Sequence, residues 1–252
     1  MQDIHFIVQG KGGVGKSFIA SLLAQFFAEH KSTDVMCFDT DPVNQTFSRY
    51  QALNVQTIDI LDEHNNIDGS KFDVLMNTLL TENGSAIVDN GAATFIPLMS
   101  YLKENDAIDM LKDSGAEVYF HIPIQGGQGL NDTLAGLISI VHSLPVKIVV
   151  WLNHHVGAIR LDDQVFTDSK IYQNNTEKIV HVINIEERNP DTFGKDIKRM
   201  TENHLTIGEV FSSSDFQLMS KQRIKIFYKN IAKQLASMPV FQVETETIDE
   251  RI

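Results

Sequence analysis

The chain has 252 residues, of which 42% are hydrophobic, and a formal net charge of −12 at pH 7. This size suits one large α/β domain, and the composition excludes a disordered chain. The acidic balance excludes a protein that binds nucleic acid over its whole surface, although a local basic patch is compatible with it. One cysteine, no basic leader and no long apolar run predict a cytoplasmic protein.

Strand-like apolar runs alternate with segments of helical period, which predicts βαβ units. The predicted strands span residues 4–9, 34–39, 85–89, 117–122, 147–153 and 178–183. The predicted helices span residues 16–30, 71–80, 95–111, 129–143, 163–173, 191–203 and 215–236. The expected fold is α/β: a doubly wound, mostly parallel sheet with helices on both faces. We expect one domain over residues 1–237 and a mobile, acidic tail over residues 238–252.

A glycine-rich loop separates the first predicted strand from the first predicted helix, and it satisfies the P-loop pattern G-x-x-x-x-G-K-[ST]. Glycines let several backbone N–H groups approach phosphate oxygens, and the helix that follows adds its N-terminal dipole. Lys16 is expected to place its charge on the β- and γ-phosphates, and the Ser17 hydroxyl to bind Mg²⁺. We therefore predict a MgATP site. Its nucleotide-binding residues are Gly10, Gly12, Gly13, Val14, Gly15, Lys16, Ser17 and Phe18.

Aspartates at two strand ends are the candidates to meet the metal and the attacking water. Asp39 and Asp41 close the second predicted strand, and Asp89 closes the third. Small, flexible residues follow Asp89, which is typical of a Walker B aspartate that leads into a switch loop. Asp73 is an alternative, but the residues around it have the pattern of a helix. We predict that Asp39 and Asp89, with Ser17, surround the Mg²⁺.

The residues after the strand 147–153 bear on the choice of base. A GTPase of this fold needs N-K-x-D, whereas this strand ends in Asn153-His154-His155-Val156. ATP is therefore predicted instead of GTP. The two adjacent histidines point to opposite sides of a strand end, and no further Cys or His cluster supports a zinc site. They are interpreted as surface residues.

A second lysine in the loop, Lys11, completes the string K-G-G-V-G-K-S, which resembles the deviant Walker A motif of the ParA/MinD class. The resemblance implies that Lys11 reaches the nucleotide of a partner subunit, so that the ATP-bound form is a homodimer. The pattern D-x-D-P is similar to the second motif of ParA-type ATPases, which implies that Asp41 positions the hydrolytic water. Asn153 stands where this class places an asparagine against adenine. The implied catalytic residues are Lys11, Lys16 and Asp41.

The resemblance covers most of the chain. Residues 8–17, 38–44, 88–92, 126–128 and 150–153 together are similar to the TraL-type ATPases encoded in plasmid conjugal-transfer regions. This implies an accessory ATPase that hydrolyses ATP slowly as a dimerisation switch and acts with a protein partner in plasmid transfer or maintenance. Val43 departs from partition ATPases, which carry Gln there. The alternative is a synthetase-type enzyme of this fold that phosphorylates a small carboxylate, although it needs no lysine acting across a dimer.

The last predicted helix carries lysines every four residues, at Lys221, Lys225, Lys229 and Lys233, and a separate apolar stripe. The basic stripe has three interpretations: the solvated edge of a docked helix, a site for DNA or an acidic partner, or a membrane contact. Membrane attachment is disfavoured because acidic residues follow the helix and repel anionic lipid. These acids are Glu244, Glu246, Asp249 and Glu250.

Overall fold

The computed structural model describes residues 1–31, 34–161 and 163–241. The strands are β1 Asp3–Ile7, β2 Val35–Asp39, β3 Gln56–Thr57, β4 Ser85–Asp89, β5 Glu117–Gln125, β6 Lys147–Asn153 and β7 Ile179–Ile185. The α-helices are α1 Lys16–His30, α2 Phe72–Thr81, α3 Phe95–Glu104, α4 Ala107–Asp113, α5 Leu130–Ser143, α6 Lys170–Gln173, α7 Lys195–Glu202, α8 Ile207–Ser212 and α9 Leu218–Leu235.

The strands form one sheet of seven, in the order β3-β2-β4-β1-β5-β6-β7. Every pairing is parallel, so the carboxyl ends of all these strands lie at one edge of the sheet. The central strand, β1, pairs Ile7 with Asp89 on one side and with His121 on the other. The loop after β1 therefore emerges between the ends of β4 and β5, where ligands bind in open parallel sheets.

Helices cover both faces of the sheet because the strands are apolar on both sides. Side chains of β1 alternate between the faces: Ile4 and Phe6 join a core with α2, α3, α4 and α5. Ile7 joins the opposite core, which contains residues of α1, α7, α8 and α9. The predicted doubly wound α/β fold is thus confirmed, and the sheet is parallel throughout its described strands.

Two helix predictions were wrong in extent. The predicted helix 95–111 is interrupted between α3 and α4, because Asp106 adopts a left-handed conformation with φ of 48°. The predicted helix 163–173 shrinks to the single turn α6. Asp163 has φ of 63°, and a short 3₁₀ turn Phe166–Asp168 precedes Ser169, whose hydroxyl caps α6.

Buried side chains continue past residue 237, the predicted end of the domain. Met238 and Phe241 are buried, and the Phe241 ring meets Phe26 and Phe27 of α1 edge-on, with 4.9 Å between ring centroids in each pair. Met238 and Phe241 belong to the core that contains α1, and their burial holds residues 238–241 against it. The rest of the predicted tail, residues 242–252, lies outside the described residues.

No helix in the described part of the chain is long and apolar enough to cross a membrane.

Candidate functional site

The loop between β1 and α1 adopts the backbone of a phosphate cradle. Gly13 and Gly15 have positive φ angles of 72° and 95°, a region that side chains with a Cβ rarely enter. Gly15 immediately precedes α1, so the free N–H groups at the start of this helix face the loop. Lys16 is buried, and its Nζ donates to the Lys11 carbonyl at 3.2 Å. Burial lowers the pKa of Lys16, while the charges of Asp89 and Asp41 oppose the shift.

Asp89 ends β4 directly beside this cradle and is fully buried. Its Oδ1 has no hydrogen-bond partner within the described residues. Desolvation raises the pKa of Asp89 to about 7, against the lowering effects of a hydrogen bond from Ser17 and the charge of Lys16. An unpartnered carboxylate oxygen at this depth is costly unless a ligand completes it.

Mg²⁺ fits this position. No group of three or more His, Cys, Asp or Glu side chains suited to a metal occurs in residues 1–31, 34–161 and 163–241. Mg²⁺ does not require such a cage, since it is usually held by one or two protein oxygens together with waters and substrate phosphates. Ser17 and Asp89 provide that donor set next to the loop.

Asp39 organises the turn after β2. It is fully buried, and its two carboxylate oxygens accept separate hydrogen bonds at 2.9 Å from the backbone N–H groups of Asp41 and Ser48. Burial raises the pKa of Asp39, with the N–H groups of Asp41 and Ser48 acting in the opposite direction. Both oxygens are therefore engaged by the protein backbone, which supports the loop and leaves Asp39 a weaker candidate for the metal than Asp89.

Asp41 lies in the turn that Asp39 supports. Its Oδ1 accepts hydrogen bonds from the backbone N–H groups of Val43 and Asn44, at 2.9 and 3.1 Å. On its other side lies Gly91, in the loop after Asp89. A Cβ atom on Gly91 would stand 2.7 Å from the Asp41 Cγ, so these two loops approach as closely as they do because residue 91 is a glycine. The loops after β2 and β4 are thus in direct contact beside the cradle.

Asn153, at the end of β6, is tied to the loop itself. Its Nδ2 donates to the Val14 carbonyl at 3.2 Å, and its Oδ1 accepts from the His155 N–H at 3.1 Å. A cavity of about 480 Å³ opens beside Asn153 and Gly15. Its walls include Phe18, Phe227 of α9, and residues of the loop after β7. The cavity adjoins the phosphate cradle and has aromatic walls, which suits a nucleotide base.

Lys11 does not reach its own phosphate cradle. Its Nζ forms an ion pair with Oδ2 of Asp132 in the first turn of α5, at 2.8 Å, and both side chains are about half exposed, at 43% and 58%. The structure therefore brings Lys16, Ser17 and the three aspartates together at one edge of the sheet and leaves Lys11 at the surface.

The sequence patterns did not predict Asp132 as the partner of Lys11, Gly91 as a contact of Asp41, or Phe227 as a wall of the cavity beside Asn153. The motif patterns carry no signal for Asp132, because it lies in an ordinary first turn of a helix. Phe227 carries no sequence signal beyond its place in the apolar stripe of the last helix. Its position beside the cradle depends on how α9 docks, which is a long-range packing property.

The fold and the glycine-rich cradle define a nucleotide-binding P-loop protein. Residues 5–243 match the model of the CobQ/CobB/MinD/ParA nucleotide binding domain, and the chain belongs to this family. The resemblance inferred from the loop is confirmed.

Within this family, the chain is similar to two proteins from Escherichia coli, each named Protein TraL. One is 38% identical over 242 residues and the other 36% identical over 244 residues; in both, 95% of this chain aligns with the whole of the relative.

Solved structures share the fold at low sequence identity. A plasmid partition protein from Borrelia burgdorferi bound to AMPPNP has a TM-score of 0.51 and 16% identity, over 93% of this chain and 98% of its own. The MinD cell division protein of Aquifex aeolicus has a TM-score of 0.50 and 16% identity, over 94% and 99%. MinD from Pyrococcus horikoshii, complexed with Mg-ADP, has the same TM-score and identity, over 94% and 97%.

Proposed function

We propose that this chain binds MgATP, hydrolyses it slowly and acts as a dimerisation switch in plasmid conjugal transfer or plasmid maintenance. The observation that carries the proposal is the buried Asp89 with its unpartnered oxygen, beside a P-loop whose Lys16 is buried with it. Two buried charged groups of this kind lower the stability of the ligand-free protein, and they suit a site that a charged ligand completes. MgATP supplies both a cation for Asp89 and phosphates for Lys16.

The chain's own residues account for binding and for hydrolysis. The loop N–H groups and Lys16 hold the β- and γ-phosphates, while Ser17 and Asp89 hold Mg²⁺. Bound Mg²⁺ neutralises phosphate charge. Asp41, placed by Asp39 in the turn after β2, orients the attacking water. Because Gly91 touches Asp41, a change at the γ-phosphate end of the loop after β4 is passed directly to the loop after β2.

Lys11 is the residue that makes the protein a switch. Its ion pair with Asp132 is half exposed, and such pairs contribute only about 0–1 kcal/mol. Little free energy therefore holds Lys11 at its present position, and it is available to reach the phosphates bound in a second copy. We infer that the MgATP-bound form is a homodimer in which Lys11 acts across the interface.

The similarity to Protein TraL along nearly the full chain supports a role related to plasmid conjugation, in which the dimer acts with a protein partner. The cytoplasmic location predicted from the sequence belongs to this proposal. ATP hydrolysis measured without any added metabolite distinguishes the proposed switch from a synthetase. A switch shows slow basal hydrolysis, whereas an enzyme that phosphorylates a small carboxylate shows almost none.

The dimer is tested by sedimentation of wild type and Lys11→Ala with MgATP replaced by a non-hydrolysable analogue. We expect Lys11→Ala to bind the analogue like wild type but to remain monomeric. Lys147→Ala is a matched control, because Lys147 is ion-paired with Glu117 and is 43% exposed, like Lys11, but lies at the opposite edge of the sheet. Equal dimerisation of Lys11→Ala and the control would contradict the proposed role of Lys11.

A further inference from the structure

The helix α9 has a buried inner side and an outer side of unusual composition. Its inner residues Ile224, Phe227, Tyr228, Ile231 and Leu235 are buried in the core that includes α1. At 100° per residue, the exposed residues of α9 fall within an outward arc of about 120°. We call this surface the basic-apolar face; it consists of Leu218, Met219, Gln222, Lys225, Ile226, Lys229 and Lys233, and the half-buried Lys221 borders it.

The lysines of this face are not neutralised by the rest of the described chain. Lys225, Lys229 and Lys233 make no ion pair with any residue that the structure describes. By contrast, Arg223, on the inner flank of the same helix, pairs with Asp196 at 2.5 Å. The sequence has no acidic residue from 216 to 241, in a chain whose net charge is −12. The face is therefore a local positive surface on an acidic protein, complementary to a negatively charged partner.

Exposed apolar side chains lie among these lysines. Leu218 is 81% exposed, Met219 61% and Ile226 42%. A basic edge that only meets solvent gains nothing from large apolar residues, and exposed apolar side chains surrounded by charged ones are a feature of protein interaction sites.

The apolar residues also decide between the negatively charged partners. DNA phosphates are bound by basic and polar groups, and the non-specific affinity of such contacts is electrostatic, so Leu218 and Met219 would contribute little. A helix that lies in a lipid surface inserts its main apolar stripe, but the main stripe of α9 is buried in the protein core. A protein segment that carries both carboxylates and apolar side chains matches both components of the face.

We propose that the basic-apolar face is a docking surface for an acidic segment of a partner protein, with apolar side chains spaced between its carboxylates. This deepens the proposed switch by naming the chemistry of its partner, and for its link to the nucleotide it rests on that switch.

The inner side of α9 links the basic-apolar face to the cavity beside the P-loop. The Phe227 ring stacks on Phe18, with 5.8 Å between centroids, and Phe18 directly follows the P-loop serine. A partner on the outer side of α9 therefore binds a helix that also forms a wall of the nucleotide cavity.

The test is fluorescence anisotropy with the full chain and no nucleotide, so that a failure of ATP binding leaves the measurement intact. The first probe is a synthetic peptide with leucines at positions i, i+3, i+4 and i+7 and glutamates between them. Two matched peptides replace the glutamates by glutamine or the leucines by serine. Duplex DNA and vesicles of anionic phospholipid complete the set. We expect the first peptide to bind and each matched peptide to bind at least about tenfold more weakly.

Variants locate the binding on α9. The pair Lys225→Glu and Lys229→Glu changes the charge by four units, and we expect it to weaken peptide binding by about tenfold or more. Leu218→Ser is expected to weaken it about threefold or more. The control pair, Lys103→Glu and Lys170→Glu, makes the same charge change at exposed lysines of α3 and α6 and should change the affinity by less than about twofold. Far-UV circular dichroism and MgATP thermal shifts on each variant report on the fold and on the nucleotide site separately.

Several results would overturn the proposal. Tighter binding of DNA or of vesicles than of the first peptide would assign the face to that partner. Equal peptide binding by the α9 pair and the control pair would remove the face from the interaction. A gain in peptide affinity on Glu244→Gln with Glu246→Gln would identify residues 242–252 of this chain as the occupant. Absence of peptide binding to wild type would leave the lysines as a solvated edge.

Discussion

Two buried aspartates on adjacent strands differ in how fully their oxygens are used. Asp3 starts β1 and Asp89 ends β4, and both are about 1% exposed. The Oδ1 of Asp3 accepts hydrogen bonds from Lys31 and Ser85, and its Oδ2 is bonded to His5, each at 2.8 Å. Asp89 leaves one oxygen without a partner in the described residues.

The environment of Asp3 is a closed hydrogen-bonded chain across the sheet. The Trp151 Nε1 can only donate, so it donates to Nδ1 of His121 at 2.9 Å. The His121 Nε2 then donates to Nδ1 of His5, and the His5 Nε2 donates to Asp3. Every ring nitrogen of the two histidines has a hydrogen-bond partner in this chain, and burial lowers the pKa of His121. Burial raises the pKa of Asp3, but the hydrogen bonds from His5 and Lys31 and the charge of Lys31 outweigh it and lower the pKa to about 2.

The comparison separates structure from function. A buried carboxylate whose oxygens are all engaged stabilises the fold, whereas one with an unengaged oxygen at the carboxyl edge of the sheet is a site for a ligand. Mutation of a carboxylate of the first kind should lower the stability of the fold. Mutation of one of the second kind should weaken ligand binding.

Exchanging each aspartate for asparagine should give opposite results, and this is the largest effect expected. Asp3→Asn breaks a buried ion pair with Lys31 and should lower the free energy of unfolding by about 3–5 kcal/mol. Asp89→Asn removes a buried charge and should leave the nucleotide-free protein at least as stable as wild type, while MgATP no longer stabilises it. Urea unfolding with and without MgATP measures both. Equal loss of stability in the two variants would show that Asp89 is structural.

Asp41→Ala tests the assignment of hydrolysis to the loop after β2. The variant keeps Ser17, Lys16 and Asp89, so it should bind MgATP and dimerise. It should hydrolyse ATP at least about tenfold more slowly, which corresponds to about 1.4 kcal/mol in the barrier. Single-turnover hydrolysis and ATP affinity are measured on one preparation. A wild-type rate would transfer the role to Asp39, and loss of MgATP binding would make Asp41 a metal ligand.

The pH dependence should differ between the two aspartates. Asp3 has a depressed pKa, so its contribution to stability is present above its unfolded value of 3.8 and is lost as the pH falls towards 2. Asp89 has a raised pKa, so its contribution is present below 3.8 and is lost as the pH rises through about 7.

MgATP should bind Asp89 as a carboxylate, and its affinity should therefore rise with pH, by about fivefold between pH 6 and 7. Calorimetric titration at these two pH values in buffers of different ionisation enthalpy measures the affinity and the proton released. A wild-type affinity that is independent of pH over this range would show that Asp89 is already ionised in the free protein.

The P-loop, the strand ends and the doubly wound sheet were predictable because each rests on local patterns. Glycine spacing fixes the cradle, and apolar runs that end in aspartate place Asp39 and Asp89 at the same edge of a parallel sheet. The helix α8 was missed, although Thr206 and Glu209 form a capping box that marks its start. The two-residue strand β3 is too short to give a periodic signal.

Long-range partners were not predictable. The pairing of Lys11 with Asp132 and the stacking of Phe18 on Phe227 join segments far apart in the chain, and their existence depends on how α5 and α9 dock. The hydrogen-bonded series of side chains from Asp3 to Trp151 was not predictable either. No sequence motif indicates it, because it depends on the register of β1, β5 and β6.

The central claim is that the cradle and Asp89 form one MgATP site, and Lys16→Ala tests it most directly. Lys16 is buried in the cradle and is the residue expected to contact the phosphates, so isothermal titration should show MgATP binding to wild type and none to Lys16→Ala, with circular dichroism unchanged. Lys147→Ala, at the opposite edge of the sheet, should bind like wild type. MgATP binding to Lys16→Ala with wild-type affinity would contradict the assignment of this loop as the nucleotide site.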